Sequence, residues 1–223
     1  MGKSCRLPFL SIEHEIKTPF HKIHCDLWGL ALVRSREQFR FYAIFIDDYR
    51  HFTWFYPMRK KSNLTNCFDH FHKYISCHFN TNIHIFQSDE GGEFASGEFS
   101  RKLATLGIHH QFACPKTLEQ NGIAKREHQN IIELGLTMMF HAHLPPRFWI
   151  ECFSTVVYLI NCLPSPTLGM DSPFSKLYVK QPDYSSVRVL GCKCFPYLGH
   201  YKSNKLEPKS LPCVFIGYST KHK

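Results

Sequence analysis

The stretch Phe39–Asp47 limits the fold more than any other part of the chain. It reads FRFYAIFID, and Phe41, Tyr42, Ile44, Phe45 and Ile46 leave almost no polar face. A strand with one wet face alternates apolar and polar residues. A run this apolar suits a strand covered on both faces by other layers. Phe52–Met58 is its predicted hairpin partner across the turn Asp48-Tyr49-Arg50-His51, and Lys22–Trp28, closed by Gly29, reads as a third strand. The period then changes. Phe68, Phe71, Ile75 and Phe79 fall at spacings of three and four, which predicts a helix over Asn63–Phe79. A strand over Ile83–Ser88 follows, then a helix over Gly97–Leu106 capped by Gly107, then a strand over Ile108–Ala113. After a polar loop at Pro115–Asn121 come helices over Gly122–His141 and Arg147–Cys162. On the first of these, Ile123, Ile131, Leu134 and Met138 are the expected core positions. Alternating strands and helices after a meander give an α/β layered domain with a mixed sheet flanked by helices.

Residues 1–20 are polar and read as an irregular arm, and 21–163 as the core domain. Pro164, Pro166 and Gly169 mark a linker over 164–186, with a short helix over Ser172–Val179 started by Pro173. Residues 187–223 read as a small all-β module, truncated, with strands over Val187–Tyr197 and Pro212–Tyr218.

A formal net charge of +9 favours a polyanionic partner, nucleic acid first. The basic residues form no dense block. The nearest is Arg59-Lys60-Lys61, for which a solvated turn is the plainer reading. The ten cysteines include no Cys-x-x-Cys, only Cys192-x-Cys194. That spacing fits reduced thiols in an intracellular protein better than a disulfide framework or a zinc site. The longest apolar stretch, Phe148–Leu163, is interrupted by Glu151, Ser154 and Asn161, so no membrane partner is expected. Lys3, Arg6 and Glu13 break any signal-peptide pattern in residues 1–15.

Two carboxylates stand where strands place chemistry. Asp26 lies within the first strand, in HCDLWG, and Asp89 ends the fourth, in QSDEGGEF. Carboxylates at neighbouring strand ends can converge and hold Mg²⁺, which takes oxygen ligands and keeps sites for water and phosphate. Two such ions about 4 Å apart clamp the attacking and leaving oxygens of a phosphoryl transfer. The competing reading is structural: an Asp at a strand end is most often a turn or cap residue, and Asp89 before Gly91-Gly92 suits that.

Several segments, in order, resemble the integrase core of copia-type retrotransposons. They are GKSCRLPF, HCDLWG, FYAIFIDDYRHFTWFYPMRKKS, QSDEGGEF, GIHHQFACPKTLEQNGIAKREHQNIIE and LPPRFWIE. VLGCKCFPYLGHYKSNKLEPKSLPCVFIGYS resembles the small β-rich module that follows that core. The resemblance implies an RNase H-like fold and a D,D,E triad. It also implies a reaction that joins the 3′ ends of element DNA to target DNA with Mg²⁺ or Mn²⁺. Carried over position by position, Asp26 is the first acid and Asp89 the second. The third position, after thirty-five intervening residues, falls on Lys125. Family members carry Glu there, and commonly a basic residue where this chain has Glu127.

A protonated lysine offers three N–H donors and no lone pair, so it cannot ligate a metal. It also repels one: a unit-charge pair at about 4 Å and an effective dielectric near 20 is worth roughly 4 kcal/mol. Glu127 lies about 200° around the helix from Lys125, so it is not expected to substitute. Glu119 would reach only if its loop folds inward. The resemblance therefore predicts an integrase core that binds DNA and is catalytically impaired. The rival expectations are a non-catalytic nucleic-acid or protein-binding domain and a non-functional fragment of a decayed element. Gln120, Asn121 and Gly122, in the loop leading into the helix, are candidate DNA contacts through backbone N–H groups. So are Arg126 and His128 on the helix itself. An ordinary turn and solvated surface positions are the competing readings. The family's HHCC spacing does not occur in residues 1–20, so no structural zinc is expected. A homo-oligomer is a further expected partner, and the nucleus the expected site of action.

Overall fold

The structure is a computed structural model, and it describes residues 18–92, 94, 97–113, 122–201, 203–204 and 206–218. Five strands form the central sheet: β1 (Lys22–Trp28), β2 (Phe41–Asp47), β3 (Thr53–Met58), β4 (Ile85–Ser88) and β5 (His109–Phe112). Their order across the sheet is β3-β2-β1-β4-β5. The β1–β2 and β2–β3 pairs are antiparallel; β1–β4 and β4–β5 are parallel. The helices are α1 (Leu64–Phe79), α2 (Gly97–Thr105), α3 (Gly122–His141), α4 (Trp149–Cys162) and α5 (Pro173–Tyr178).

β2 is buried along almost its whole length because both of its faces are covered. Ala43 and Phe45 join Ile23, Cys25 and Phe86 in one core, under Leu64, Phe68, Phe71 and Ile75 of α1 and Phe99 and Leu103 of α2. Tyr42, Ile44 and Ile46 point the other way, into a second core with Ile131 of α3 and Trp149, Phe153 and Val156 of α4. The sheet is thus the middle of three layers. Strand alternation decides which side chains meet which helices. In β1, Ile23 and Cys25 face α1, which leaves His24, Asp26 and Trp28 on the α3 side.

The predicted helices and core strands are present with ends shifted by two residues at most. α1 ends at Asn80 in the left-handed conformation, and Gly107, at φ +70°, follows α2 as the cap its sequence suggested. Two readings need correcting. The face that α3 buries is Ala124, His128, Ile131, Gly135 and Met139. Leu134, expected in the core, is 47% exposed. The strands expected over Val187–Tyr197 and Pro212–Tyr218 shrink to β6 (Lys193–Cys194) and β7 (Cys213–Val214), paired antiparallel. Phe195, Tyr197 and Val214 are all more than half exposed, so apolar residues there have little to pack against. Within the expected linker, α5 carries a capping box at Ser172 and Ser175, and Leu177 is buried in the α1-side core.

Candidate functional site

Asp26 comes to the α3 side because of its parity in β1. The helices on that side are α3 and α4, and His128 projects from α3 toward the sheet. Its Nδ1 lies 3.2 Å from Asp26 Oδ2. Its Nε2 is 2.9 Å from the hydroxyl of Tyr42 in β2. Burial and the nearby Asp26 charge push the Tyr42 phenol far up, so it stays protonated. With Tyr42 donating to Nε2, the ring proton sits on Nδ1, close to the carboxylate but not in hydrogen-bonding geometry with it. The other Asp26 oxygen, Oδ1, accepts from the Leu27 N–H at 3.0 Å.

Asp89 follows β4 directly. The parallel pairing of β1 with β4 ends at His24 and Gln87, so Asp26 and Asp89 each lie two residues beyond its last pair. The Gly91 N–H donates to Asp89 Oδ1 at 3.1 Å, so this carboxylate also closes the turn after β4, as the structural reading of QSDEGG suggests.

Lys125 lies on the exposed side of α3, one turn before His128 and Gln129. A cavity of about 340 Å³ is lined by Asp26, Trp28, Lys125, His128, Gln129 and Glu133 among others. Gln129 donates to Glu133 at 2.7 Å along that wall. The spacing Lys125, Gln129, Glu133 is one residue per helical turn and was readable in the sequence. The place of Tyr42 and His128 beside Asp26 was not, because those contacts join a strand to a helix about a hundred residues away.

Glu127 turns elsewhere. Thr53 of β3 donates its hydroxyl to Glu127 Oε1 at 3.1 Å, and Thr53 is itself bracketed by the Asn161 amide through bonds of 2.9 and 2.8 Å. Burial pushes the Glu127 carboxyl up, and the hydrogen bonds from Thr53 and Asn130 pull it partly back. Of the other sequence candidates, Gly122 begins α3 and Arg126 folds back to donate to the Gly122 carbonyl at 3.1 Å on the exposed surface. His128, only 6% exposed, is spent on Asp26 and Tyr42 rather than presented to solvent. Glu119, Gln120 and Asn121 lie outside the described residues.

Among the described residues no group of three or more His, Cys, Asp or Glu side chains is placed to hold a metal. Asp26 Oδ1 already accepts from the Leu27 N–H, His128 sits against Oδ2, and Lys125 lines the same cavity. The described residues therefore do not fit a divalent ion as they stand. No described helix is long and apolar enough to cross a membrane.

Residues 17–117 match the family model for the integrase core domain, and residues 192–223 that for the retroviral polymerase SH3-like domain. The chain is 39% identical over 219 residues to the retrovirus-related Pol polyprotein from transposon RE1 of Arabidopsis thaliana; the match covers 98% of the chain and 15% of that protein. The chain thus spans about 15% of the length of that relative. Its fold is similar to that of a simian T-cell lymphotropic virus intasome in complex with the PP2A regulatory subunit B56 gamma. There the TM-score is 0.58 at 16% identity, over 87% of this chain and 68% of the other. It is similar also to the HTLV-2 integrase catalytic core domain in complex with magnesium, in a trimeric form. There the TM-score is 0.50 at 16% identity, over 70% of this chain and 95% of the other. Three layers, the strand order, two family matches and an alignment along 98% of this chain to part of a transposon polyprotein agree: the chain belongs to the integrase core family, as the integrase core of a retrotransposon Pol polyprotein.

Proposed function

We propose that this copy of the core binds DNA and has lost most or all of the strand-transfer activity of its family. One observation carries the reading: Lys125 and Asp26 line the same cavity, Glu127, the acid nearest Lys125 in sequence, is turned to Thr53, and Glu133, two turns on, is bonded to Gln129. By resemblance, the position of Lys125 is that of the third acid. There a carboxylate would add negative charge and oxygen donors, and the lysine adds positive charge and N–H donors. Mg²⁺ or Mn²⁺ at Asp26 and Asp89 is the cofactor the family implies, and Lys125 weakens that site. Each 1.4 kcal/mol of lost affinity is about tenfold, so even a small part of the electrostatic penalty disables the site. DNA is the proposed partner, a second copy of the chain a further one, and the nucleus the site of action.

The test is strand transfer with Mn²⁺, comparing the wild-type chain with Lys125→Glu. The expected result is little or no product from wild type and a gain of about tenfold or more on substitution. Equal activity in the two proteins would remove the proposal.

A further inference from the structure

A second cleft opens at the same end of the sheet as Asp26, and nothing above gives it a task. It has a volume of about 590 Å³, and its lining includes Arg34, Arg40, Arg59, Lys60 and Lys61. No Asp or Glu lines it. Arg34 and Arg40 come from the segment between β1 and β2, and Arg59, Lys60 and Lys61 from the segment after β3. The register brings these segments together, since Trp28 pairs with Tyr42 and Phe41 with Met58.

The segment between β1 and β2 is built rather than loose. The Ala31 N–H donates to the Arg40 carbonyl at 2.8 Å, the Ser35 N–H to the Phe39 carbonyl and the Phe39 N–H to the Ser35 hydroxyl, both at 3.0 Å, and Trp149 Nε1 to the Val33 carbonyl at 3.1 Å. The guanidinium groups are aimed by neutral acceptors. Arg40 Nε donates to the Ala31 carbonyl and Arg59 Nε to the Glu37 carbonyl, both at 3.3 Å, while Arg34 donates to the Gln38 side chain at 3.4 Å. The Arg59 guanidinium also lies 5.8 Å from the Phe39 ring centroid. Carbonyls and a ring hold these groups in place without cancelling their charge. Among the described residues none of Arg34, Arg40, Arg59 and Lys60 pairs with a carboxylate. Glu37, the one acid of the segment, gives only its backbone oxygen.

We infer that this cleft is a phosphate track for the backbone of duplex DNA, which the chain holds beside Asp26. Leu30, which lines the cleft, is four residues along the chain from Asp26 and so lies at most roughly 14 Å from it. One duplex therefore reaches both places. Planar guanidinium groups suit bidentate contacts to phosphate, and ammonium groups add point charges. A concave cleft fits a rod of regularly spaced charges better than the flat surface of a lipid bilayer. The inference rests on the proposed integrase reading but not on activity, so it holds for an inactive core.

The experiment measures binding of the whole chain to a short duplex by fluorescence anisotropy across a salt series, for wild type, Arg59→Gln and the double variant Arg34→Gln/Lys60→Gln. The expected result is at least a tenfold loss of affinity for the double variant. Its log–log salt slope should be shallower by about 0.9 for each phosphate contact removed, with thermal melting unchanged. Lysine acetylation of the wild-type chain gives a readout that needs no substitution: duplex should protect Lys60 and Lys61 and leave exposed Lys73 on α1 unprotected. Wild-type affinity and slope in the variants, or equal acetylation with and without DNA, overturns the track while leaving the integrase reading intact. No duplex binding by wild type overturns both. Retention on phosphatidylserine vesicles in place of duplex overturns the DNA assignment.

Discussion

The His110 ring packs near Phe86 and Phe99, and its Nε2 is 2.9 Å from the Ser88 hydroxyl. Ser88 donates to the Asp89 carbonyl at 2.9 Å, so it accepts from the neutral imidazole. The other ring nitrogen, Nδ1, is buried without a hydrogen-bond partner, and a proton there would be poorly solvated. Burial accordingly pushes His110 down to about 4, with the neighbouring His109 adding to the effect. The folded value lies below the unfolded one near 6.5. The stability this gives is therefore present above about pH 6.5 and is lost as pH falls toward 4. Asp47 works in the other direction. Burial raises it to about 6, against the hydrogen bonds from the Phe20 and Arg50 N–H groups. Its contribution is full below about pH 4 and is lost as pH rises through 6. Because the two overlap, the informative quantity is a difference. The stability gap between wild type and His110→Gln, from urea unfolding, should narrow by roughly 1–2 kcal/mol between pH 7 and pH 4.5, after discounting for a partly exposed ring. A gap independent of pH would show that His110 titrates alike in both states.

Among the helices, α3 carries both the site and a close contact with α4. A Cβ on Gly135 would come within 2.2 Å of the Phe153 ring on α4, so the two helices approach as closely as they do because this residue has no side chain. Gly135→Ala gains about 1 kcal/mol of helix propensity and loses about 1–3 kcal/mol to overpacking against a ring that is itself buried. We expect a lower melting temperature, by several degrees; an unchanged or higher one would mean that α3 and α4 can separate at no cost. The same residue explains what was legible. The span of α3 follows from its sequence, but its buried face does not. Summed apolarity selects Leu134, whereas close packing against α4 selects Gly135, and the sheet selects Ala124 and His128. Small residues and a histidine carry no hydrophobic signal. The candidate site divides the same way. Asp26 and Asp89 stand out because strand ends are visible in a sequence. The partners of Asp26 do not, because they arrive from β2 and α3 through the tertiary fold. Glu127 and Lys125 could be told apart by helical phase alone, two residues being more than half a turn.

At the scale of the molecule, the central question is where the integrase core stops. Composition places a linker over 164–186, since Pro164, Pro166 and Gly169 read as chain breakers. Packing tells a different story for α5. Leu177 is 4% exposed within the α1-side core. The Tyr178 hydroxyl is 2.9 Å from that of Tyr74 on α1, and its ring meets those of Phe52 and Phe79. A six-residue helix cannot be stable alone in water, so α5 is folded because it is docked. β6 and β7, by contrast, are two residues each and surrounded by exposed apolar side chains, and they add little burial. If α5 is part of the cooperative core, Leu177→Ala should cost about 2–5 kcal/mol, the range for emptying a buried leucine site. The whole sheet should then melt earlier in one transition, because Leu177 belongs to the same buried cluster as Ile23 and Cys25 of β1 and Phe86 of β4. A linker residue would behave otherwise. Leu177→Ala would leave the main transition where it was, or split off a small early step. Differential scanning calorimetry separates the two, and an unshifted main peak would put the boundary of the core back near residue 163.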